Sequence, residues 1–326
     1  MAQKTQAIVA REPSAPGPNW TLEDVEVGPP ARGQILVRMV ASGICHTDIV
    51  LTSVPEGVLD IHYPKIVGHE GSGIVEAVGD GVTSVQPGDP VLLSFDSCRA
   101  CAECTTAHSA YCDEFPVRNY GGSQQSWTID KEKAWGSFFG QSSFSRLSVV
   151  SEASVVNAKD LIKSDDELKL FAPLGCGLQT GAGAITNIAD AGANDVVLVL
   201  GLGAVGLAAI MTSKIRKCKT IIAVDRTDSR LQLAKTVGAT ATLNTTQEGF
   251  DLNQVIRKIA PAGASVVIET TGVPFLIEAA LTGTARRGKF IMIGVTPLDF
   301  DVKMNGIAMI NVRLPAIFSR SLQAVH

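Results

Sequence analysis

Apolar positions are most regular in the second half of the chain. Val196–Leu200 is a run of five valines and leucines, the pattern of a strand buried on both faces. A helix-compatible run, Val205–Lys214, follows, and then a second buried strand, Ile221–Val224, ending in Asp225. The alternation continues with a helical stretch at Leu231–Val237, closed by Gly238 as its C-cap, and another at Leu252–Ile259. Ser265–Glu269 reads as a strand running into Thr270-Thr271-Gly272, Phe275–Leu281 as a helix, and Lys289–Ile293 as the last buried strand, ending at Gly294. Strands alternating with helices predict a doubly wound parallel sheet from Asp195 onward. The first 95 residues instead read as short strands and turns, with strands at Gln34–Val40, at the end of Gly68–Val78, and after the turn Pro87-Gly88-Asp89 within Val85–Leu93. Ser137–Val150 ends like a strand, and acidic Ser164–Glu167 leads into a helix-like run. The expectation is an α/β protein: a β-rich domain whose loops can hold a site, then a nucleotide-type domain.

Between the first two buried strands of the second half, Gly201, Gly203 and Gly206 have the spacing G-x-G-x-x-G, with Leu202, Ala204 and Val205 between them. Gly201 permits the tight turn, Gly203 lets the backbone approach a pyrophosphate, and Gly206 lets helix and strand pack closely. The helix N-terminus then offers free N–H groups to phosphate. Asp225 can accept hydrogen bonds from the ribose hydroxyls and repels a 2′-phosphate, which favours NAD over NADP. Val196–Ser213 carries no charge and reaches the length of a membrane span, roughly 18 residues. Its three glycines, Asp195 in front and the cations Lys214, Arg216, Lys217 and Lys219 behind fit a strand-turn-helix instead.

At 326 residues the length suggests about two domains. With 28 basic and 32 acidic residues, a net charge of −4 and no block of like charge, nucleic acid and anionic membrane are not the expected partners. The N-terminal residues lack the apolar core of a secretory signal, so a cytoplasmic protein is expected.

Seven cysteines, four within fifteen positions, fit metal sites better than a disulfide framework. Cys98, Cys101, Cys104 and Cys112 form C-x-x-C-x-x-C-x7-C, enough thiolates to close a tetrahedral structural zinc site. GICHTD at Gly43–Asp48 and GHE at Gly68–Glu70 present Cys45 and His69, both ligand types suited to zinc. Taken alone, each is as readily a buried thiol or a hydrogen-bonded loop histidine. Cys176, in PLGCGLQTGAGA, has glycine on both sides, so the backbone can bend tightly around it.

With GICHTD, GHEGSGIVEAVG, the four-cysteine loop, GCGLQTGAG and GLGAVG in this order, the chain resembles the zinc-dependent medium-chain alcohol dehydrogenases. FFGQSSF (Phe138–Phe144) and PLGCGLQTGAGA resemble its aryl- and benzyl-alcohol branch. The resemblance implies a GroES-like catalytic domain over residues 1–165, a Rossmann NAD-binding domain over 166–303, and an active site in the cleft between them. It makes Cys45, His69 and Cys176 the catalytic zinc ligands, with Glu70 close enough to replace a water on the metal. Thr47 becomes the hydroxyl that takes the alcohol proton, Asp48 the residue that orients His69, and His46 a neighbour of the pyrophosphate. It also assigns Gly201–Gly206 to the pyrophosphate, Asp225 and Arg230 to the adenosine ribose, Thr180 to the nicotinamide, and Gly294 and Val295 to the carboxamide. The implied activity is hydride transfer between NAD(H) and a primary alcohol or aldehyde of aromatic or allylic type, with two zinc ions per chain. Dimers or tetramers are implied where the C-terminus permits.

The chain departs from the family at three places. The relay histidine three residues after the threonine is Val50, with His62 as a candidate substitute. Ser94 occupies the position of a pocket phenylalanine in liver-type relatives. Similarity fades after about Asp301, so residues 304–326 are expected to be a truncated or atypical segment that weakens NAD binding and stability. The competing readings are a catalytically impaired relic that binds zinc and nucleotide, a dehydrogenase of a specialised pathway, and the zinc-free quinone reductase branch, which the full set of ligands disfavours.

Overall fold

The computed structural model describes residues 1–295; the expected atypical segment at 304–326 and the last residues of the expected nucleotide domain lie outside the described residues. The chain divides into two compact units, Met1–Cys176 and Gly177–His326. The first unit carries β1 (Gln3–Arg11), β2 (Asn19–Val27) and β3 (Gln34–Ser42), then helix α1 (His46–Leu51). Next come β4 (Lys65–Ile66), β5 (Gly71–Val78) and β6 (Pro90–Leu93), before the one-turn α2 (Ala102–Thr105). After these, β7 (Ser123–Ile129), β8 (Glu132–Gly136), β9 (Leu147–Ser151) and β10 (Val155–Asn157) lead to α3 (Asp165–Leu170). Ser164 caps α3 by accepting from the Glu167 N–H. Its buried Leu168 packs with Leu92 and Ala158, which ties the residues after 165 to the first unit.

Strands β1, β2, β7, β8 and β4 close a barrel, and β10-β6-β5-β3-β9 form a second sheet. Alternate residues of β1 point inward, with Ala7 and Val9 meeting Val25, Val27, Leu36 and Trp127. The second sheet buries Ile35, Val37, Val75, Val91 and Leu93. Between β4 and β5 lies the His69–Glu70 segment, so barrel and sheet together fix its two ends.

One cation is enclosed in this unit. Lys65 is fully buried; its ammonium donates to the Gly121 carbonyl at 2.7 Å, with the Trp135 and Phe138 ring centres 5.8 and 6.0 Å away. Burial pulls its pKa down from 10.5 to about 7, against the opposing attraction of Glu56. The folded value lies below the unfolded one, so between these two pH values the unfolded chain holds more protons. Stability therefore rises with pH across that window, and below about pH 7 the cost of the charge is complete. The displacement corresponds to about 5 kcal/mol, while an orphaned Gly121 carbonyl costs about 1–3 kcal/mol. Lys65→Met is expected to be more stable than the parent by about 3 kcal/mol near pH 6, the gain vanishing by about pH 9. Thermal melts at the two pH values check this; a variant less stable than the parent near pH 6 overturns it.

The second unit opens with α4 (Gly177–Gly183). It continues through β11 (Val196–Leu200), α5 (Ala204–Ile215), β12 (Thr220–Asp225), α6 (Asp228–Val237) and β13 (Ala241–Asn244). The helices α7 (Leu252–Ile259) and α8 (Pro274–Gly283) flank β14 (Ala264–Glu269), and β15 (Thr284–Met292) follows. The five strands are parallel in the order β13-β12-β11-β14-β15. Val197 and Val199 of β11 enter one core cluster, Leu198 and Leu200 the other. A strand with core on both faces is why this segment reads as a continuous apolar run. β15 begins earlier than its apolar pattern: Thr284 already pairs with Ala264, and Arg286 and Arg287, the latter at φ +64°, form an irregularity before the apolar run.

Candidate functional site: two metal centres and a nucleotide turn

The loop after β3 brings Cys45 to the start of α1. Asp48, three residues on, accepts the Cys45 N–H through Oδ2 at 3.0 Å, which fixes how the helix begins. Its other oxygen, Oδ1, lies 2.7 Å from His69 Nδ1, with Asp48 0 % and His69 1 % exposed. One carboxylate thus orients both the cysteine backbone and the imidazole. His69 Nε2 is buried without a conventional hydrogen-bond partner and faces the Cys45 sulfur. Phe139 stacks on the imidazole at 4.5 Å and Phe138 meets its edge at 5.9 Å, which holds the ring plane.

The remaining members arrive from two further segments. Glu70 is buried, and a Cβ on Gly43 would overlap its carboxylate, so only glycine leaves room for it there. Cys176 ends the helical turn Ala172–Gly175. Gly175 is pressed against the Leu93 carbonyl so closely that any side chain would collide. The sulfurs of Cys45 and Cys176 are 3.9 Å apart. One ligand atom each from Cys45, His69, Glu70 and Cys176 lies within 4.8 Å of the others.

These residues fit a divalent cation. A tetrahedron with metal–sulfur bonds of about 2.3 Å has edges of about 3.8 Å, which matches the two thiols. The hydrogen bond to Cys176 brings Cys45 down to about 3, and the same bond with burial pushes Cys176 well up. Two adjacent sulfurs share one proton in this way unless a cation lets both ionise. Burial opposes a charge on His69, yet Asp48 and Cys45 raise its basicity, the condition of a good nitrogen ligand.

The four-cysteine loop is a separate closed set, its ligand atoms also within 4.8 Å of one another. The sulfurs of Cys98 and Cys104 are 3.8 Å apart. Cys98 accepts from the N–H groups of Ala100 at 3.4 Å and Cys101 at 3.3 Å, and Cys112 from that of Cys98 at 3.3 Å. Those N–H groups lower the Cys98 pKa to about 6, whereas burial raises Cys104 to about 12. Amides directed at sulfur favour thiolates, so this set also fits zinc.

In the second unit Gly201 adopts φ +87°, open to glycine, and a Cβ there would meet Thr270 Oγ1 at 2.5 Å. A Cβ on Gly206 would overlap the Gly201 carbonyl, while one on Gly203 would meet nothing within 4 Å. The three glycines therefore serve turn, helix packing and open approach in turn. Gly203 begins α5 with no side-chain cap. Asp225 is buried at the end of β12 and accepts from the N–H groups of Leu202 at 2.8 Å and Thr227 at 2.9 Å; Arg230 lies 3.9 Å from it. Thr180 is buried on α4. Gly294 donates to the Glu269 carbonyl at 3.0 Å, and Val295 is exposed.

Among the other expected residues, His46 is exposed and Thr47 half-buried, with the Thr47 N–H on the Cys45 sulfur. His62 bonds Glu56 at 2.6 Å and stacks on Trp135 at 4.5 Å. A groove of about 1260 Å³ in the first unit, bordered by Lys4, Glu26 and Arg38, contains none of the candidate ligands. The sequence reading missed Phe138 and Phe139, within FFGQSSF, as supports for His69. It also missed Glu269, a buried carboxylate beside the glycine turn that accepts from Thr271 and Gly272 and whose pKa burial raises.

Comparison with known proteins agrees with this architecture. Residues 31–166 match the alcohol dehydrogenase GroES-like domain, and residues 204–325 match the zinc-binding dehydrogenase domain. A probable alcohol dehydrogenase of a Pseudomonas species is 38% identical over 274 residues, covering 82% of this chain and 84% of its own. Geraniol dehydrogenase of Castellaniella defragrans is 35% identical over 302 residues, covering 91% and 78%. The crystal structure of benzyl alcohol dehydrogenase from Acinetobacter calcoaceticus superposes with a TM-score of 0.85 at 32% identity, covering 98% of this chain and 85% of that one. The chain belongs to the zinc-binding medium-chain alcohol dehydrogenases: a GroES-like domain followed by a Rossmann domain. It is an enzyme, an alcohol dehydrogenase.

Proposed function

We propose that this enzyme oxidises a primary alcohol whose carbinol carbon adjoins an aromatic ring or a double bond, or reduces the corresponding aldehyde, using NAD(H) and zinc. The observation that carries the reading is the set of half-buried Cys45 with buried His69, Glu70 and Cys176, His69 Nε2 being aimed into it. The two relatives named for benzyl alcohol and geraniol dehydrogenation act on that class of alcohol.

A zinc ion held by Cys45, His69 and Cys176 would supply a Lewis acid that lowers the pKa of an alcohol hydroxyl. The protein's part is to place that hydroxyl and to accept its proton. Thr47, in the first turn of α1 two residues after Cys45, is the residue we assign to the proton. Asp48 keeps the proton of His69 on Nδ1 and leaves Nε2 for the metal. Glu70 is the reserve ligand. In the second unit, Gly201–Gly206 leaves backbone N–H groups for the pyrophosphate and Asp225 faces the ribose. The four-cysteine loop is assigned the second zinc ion.

A carboxylate at Asp225 opposes a 2′-phosphate, so catalytic efficiency is expected to be higher with NAD than with NADP, despite the neighbouring Arg226. The test is NADH absorbance on adding benzyl alcohol and NAD to purified protein, with and without a chelator, together with metal content. Turnover abolished by the chelator and two zinc ions per chain support the reading. NADP preferred over NAD, or turnover indifferent to metal, overturns it.

A further inference from the structure

Gln141 is fully buried, yet its side chain makes three hydrogen bonds, all to backbone. Nε2 donates to the His69 carbonyl at 2.8 Å and to the Ser94 carbonyl at 2.9 Å, and Oε1 accepts the Gly71 N–H at 3.0 Å. Only this orientation of the amide satisfies all three partners, since its reverse would set an oxygen against two carbonyls.

The three partners are not scattered. His69 and Gly71 flank Glu70, so one amide clamps the backbone on both sides of a candidate ligand that itself follows another. The Glu70 carbonyl in turn accepts the Gly43 N–H at 2.9 Å, reaching the loop that carries Cys45. Ser94 closes β6, and its hydroxyl donates to the Gly175 carbonyl at 3.3 Å, next to Cys176. Within one or two hydrogen bonds Gln141 thus touches every segment that supplies a member of the open metal set, while contributing no atom to it.

We propose that Gln141 is a positioning residue for the catalytic metal, the group that sets the spacing between the His69–Glu70 segment and the Cys176 turn. This rests on the zinc dehydrogenase reading of the site. A ligand set tuned by an outer hydrogen bond loses about 10–100-fold in metal affinity or activity when that bond is removed. Loss of a purely structural amide would lower the melting temperature without changing the metal's surroundings.

The experiment uses the zinc-loaded full chain, with Gln141→Met removing all three bonds at similar length and Gln141→Glu keeping only the acceptor. Zinc release to a chromogenic chelator is followed, and the exchangeable zinc is replaced by cobalt so that its visible bands report ligand geometry. In both variants one zinc ion is expected to leave roughly 10–100-fold faster than in the parent, the other at the parental rate, with shifted cobalt bands. Parental release rates and bands in a folded variant overturn the proposal, as does failure of both variants to fold, which would assign the amide to the fold. A parent protein that takes up no cobalt outside the four-cysteine loop overturns the functional reading, and this inference with it.

Discussion

Cys176→Ser is expected to lower kcat/KM for benzyl alcohol by roughly 10³-fold or more while moving the melting temperature little. The sulfur of Cys176 faces that of Cys45 at 3.9 Å and lies outside the clusters built around Trp127, Ile35 and Leu168. Its replacement leaves a hydroxyl that does not ionise at neutral pH and reaches less far. Lewis-acid activation supplies several kcal/mol of transition-state stabilisation, and about 4 kcal/mol is a factor of roughly 10³. The turn around the residue is set by Gly175 against the Leu93 carbonyl and by the Cys176 N–H on the Pro173 carbonyl, neither of which the substitution alters. Steady-state kinetics, zinc content and a thermal melt decide the matter. A variant keeping a tenth or more of parental kcat/KM would remove Cys176 from the ligand set.

Most of the second unit was legible because its sheet is covered on both faces, although the half-buried edge strand β13 was not read and β15 begins five residues before its apolar run. β11 and α7 coincide with the ranges read from the sequence, and β12 and β14 differ only at their first residues. The barrel of the first unit was not legible in the same way. β2 buries only Val25 and Val27 of its nine residues, so no apolar run announces it. β7 and β8 are joined through Asp130 and Lys131, both in the left-handed region without a glycine to signal the turn. Lys65 gave no sign of burial, since a lysine after proline reads as surface until the barrel encloses it.

At the site, the family resemblance was a better guide than residue type. Cys45, His69 and Cys176 lie far apart in the sequence, and only the order of the surrounding motifs grouped them; the structure then brings them together with Glu70. Asp48 was expected to orient His69, and its carboxylate is found on His69 Nδ1. Gln141 and Phe139 were out of reach because their work is done on backbone carbonyls and on a ring face. Neither leaves a trace in side-chain chemistry.

Cys104→Ser is expected to act oppositely to Cys176→Ser, lowering stability by about 3 kcal/mol while leaving the open metal set in place. The segment 98–112 has little else to order it. α2 is a single turn, Arg99 and Ala107 both have positive φ, and Cys98, Cys101 and Cys104 are only half-buried. A closed four-thiolate site can supply about 10 kcal/mol or more to an isolated zinc peptide, but here the roots of the loop stay tied without metal. Asn119, fully buried, accepts the Asp96 N–H at 2.8 Å and donates to the Asp96 and Phe115 carbonyls at 2.9 Å, and Arg118 reaches Asp96 at 3.2 Å. Unfolding is therefore confined to the loop, and the loss is a fraction of the zinc-binding free energy. For a unit the size of Met1–Cys176 about 3 kcal/mol corresponds to a melting temperature lower by roughly 6–12 °C. Metal analysis should find one zinc ion fewer per chain, and limited proteolysis should cut first between residues 98 and 112. Below the melting transition, kcat/KM should stay within about threefold of the parent, far from the roughly 10³-fold loss expected at Cys176. If the two variants lose stability and activity alike, the division into a closed supporting centre and an open reactive one is wrong.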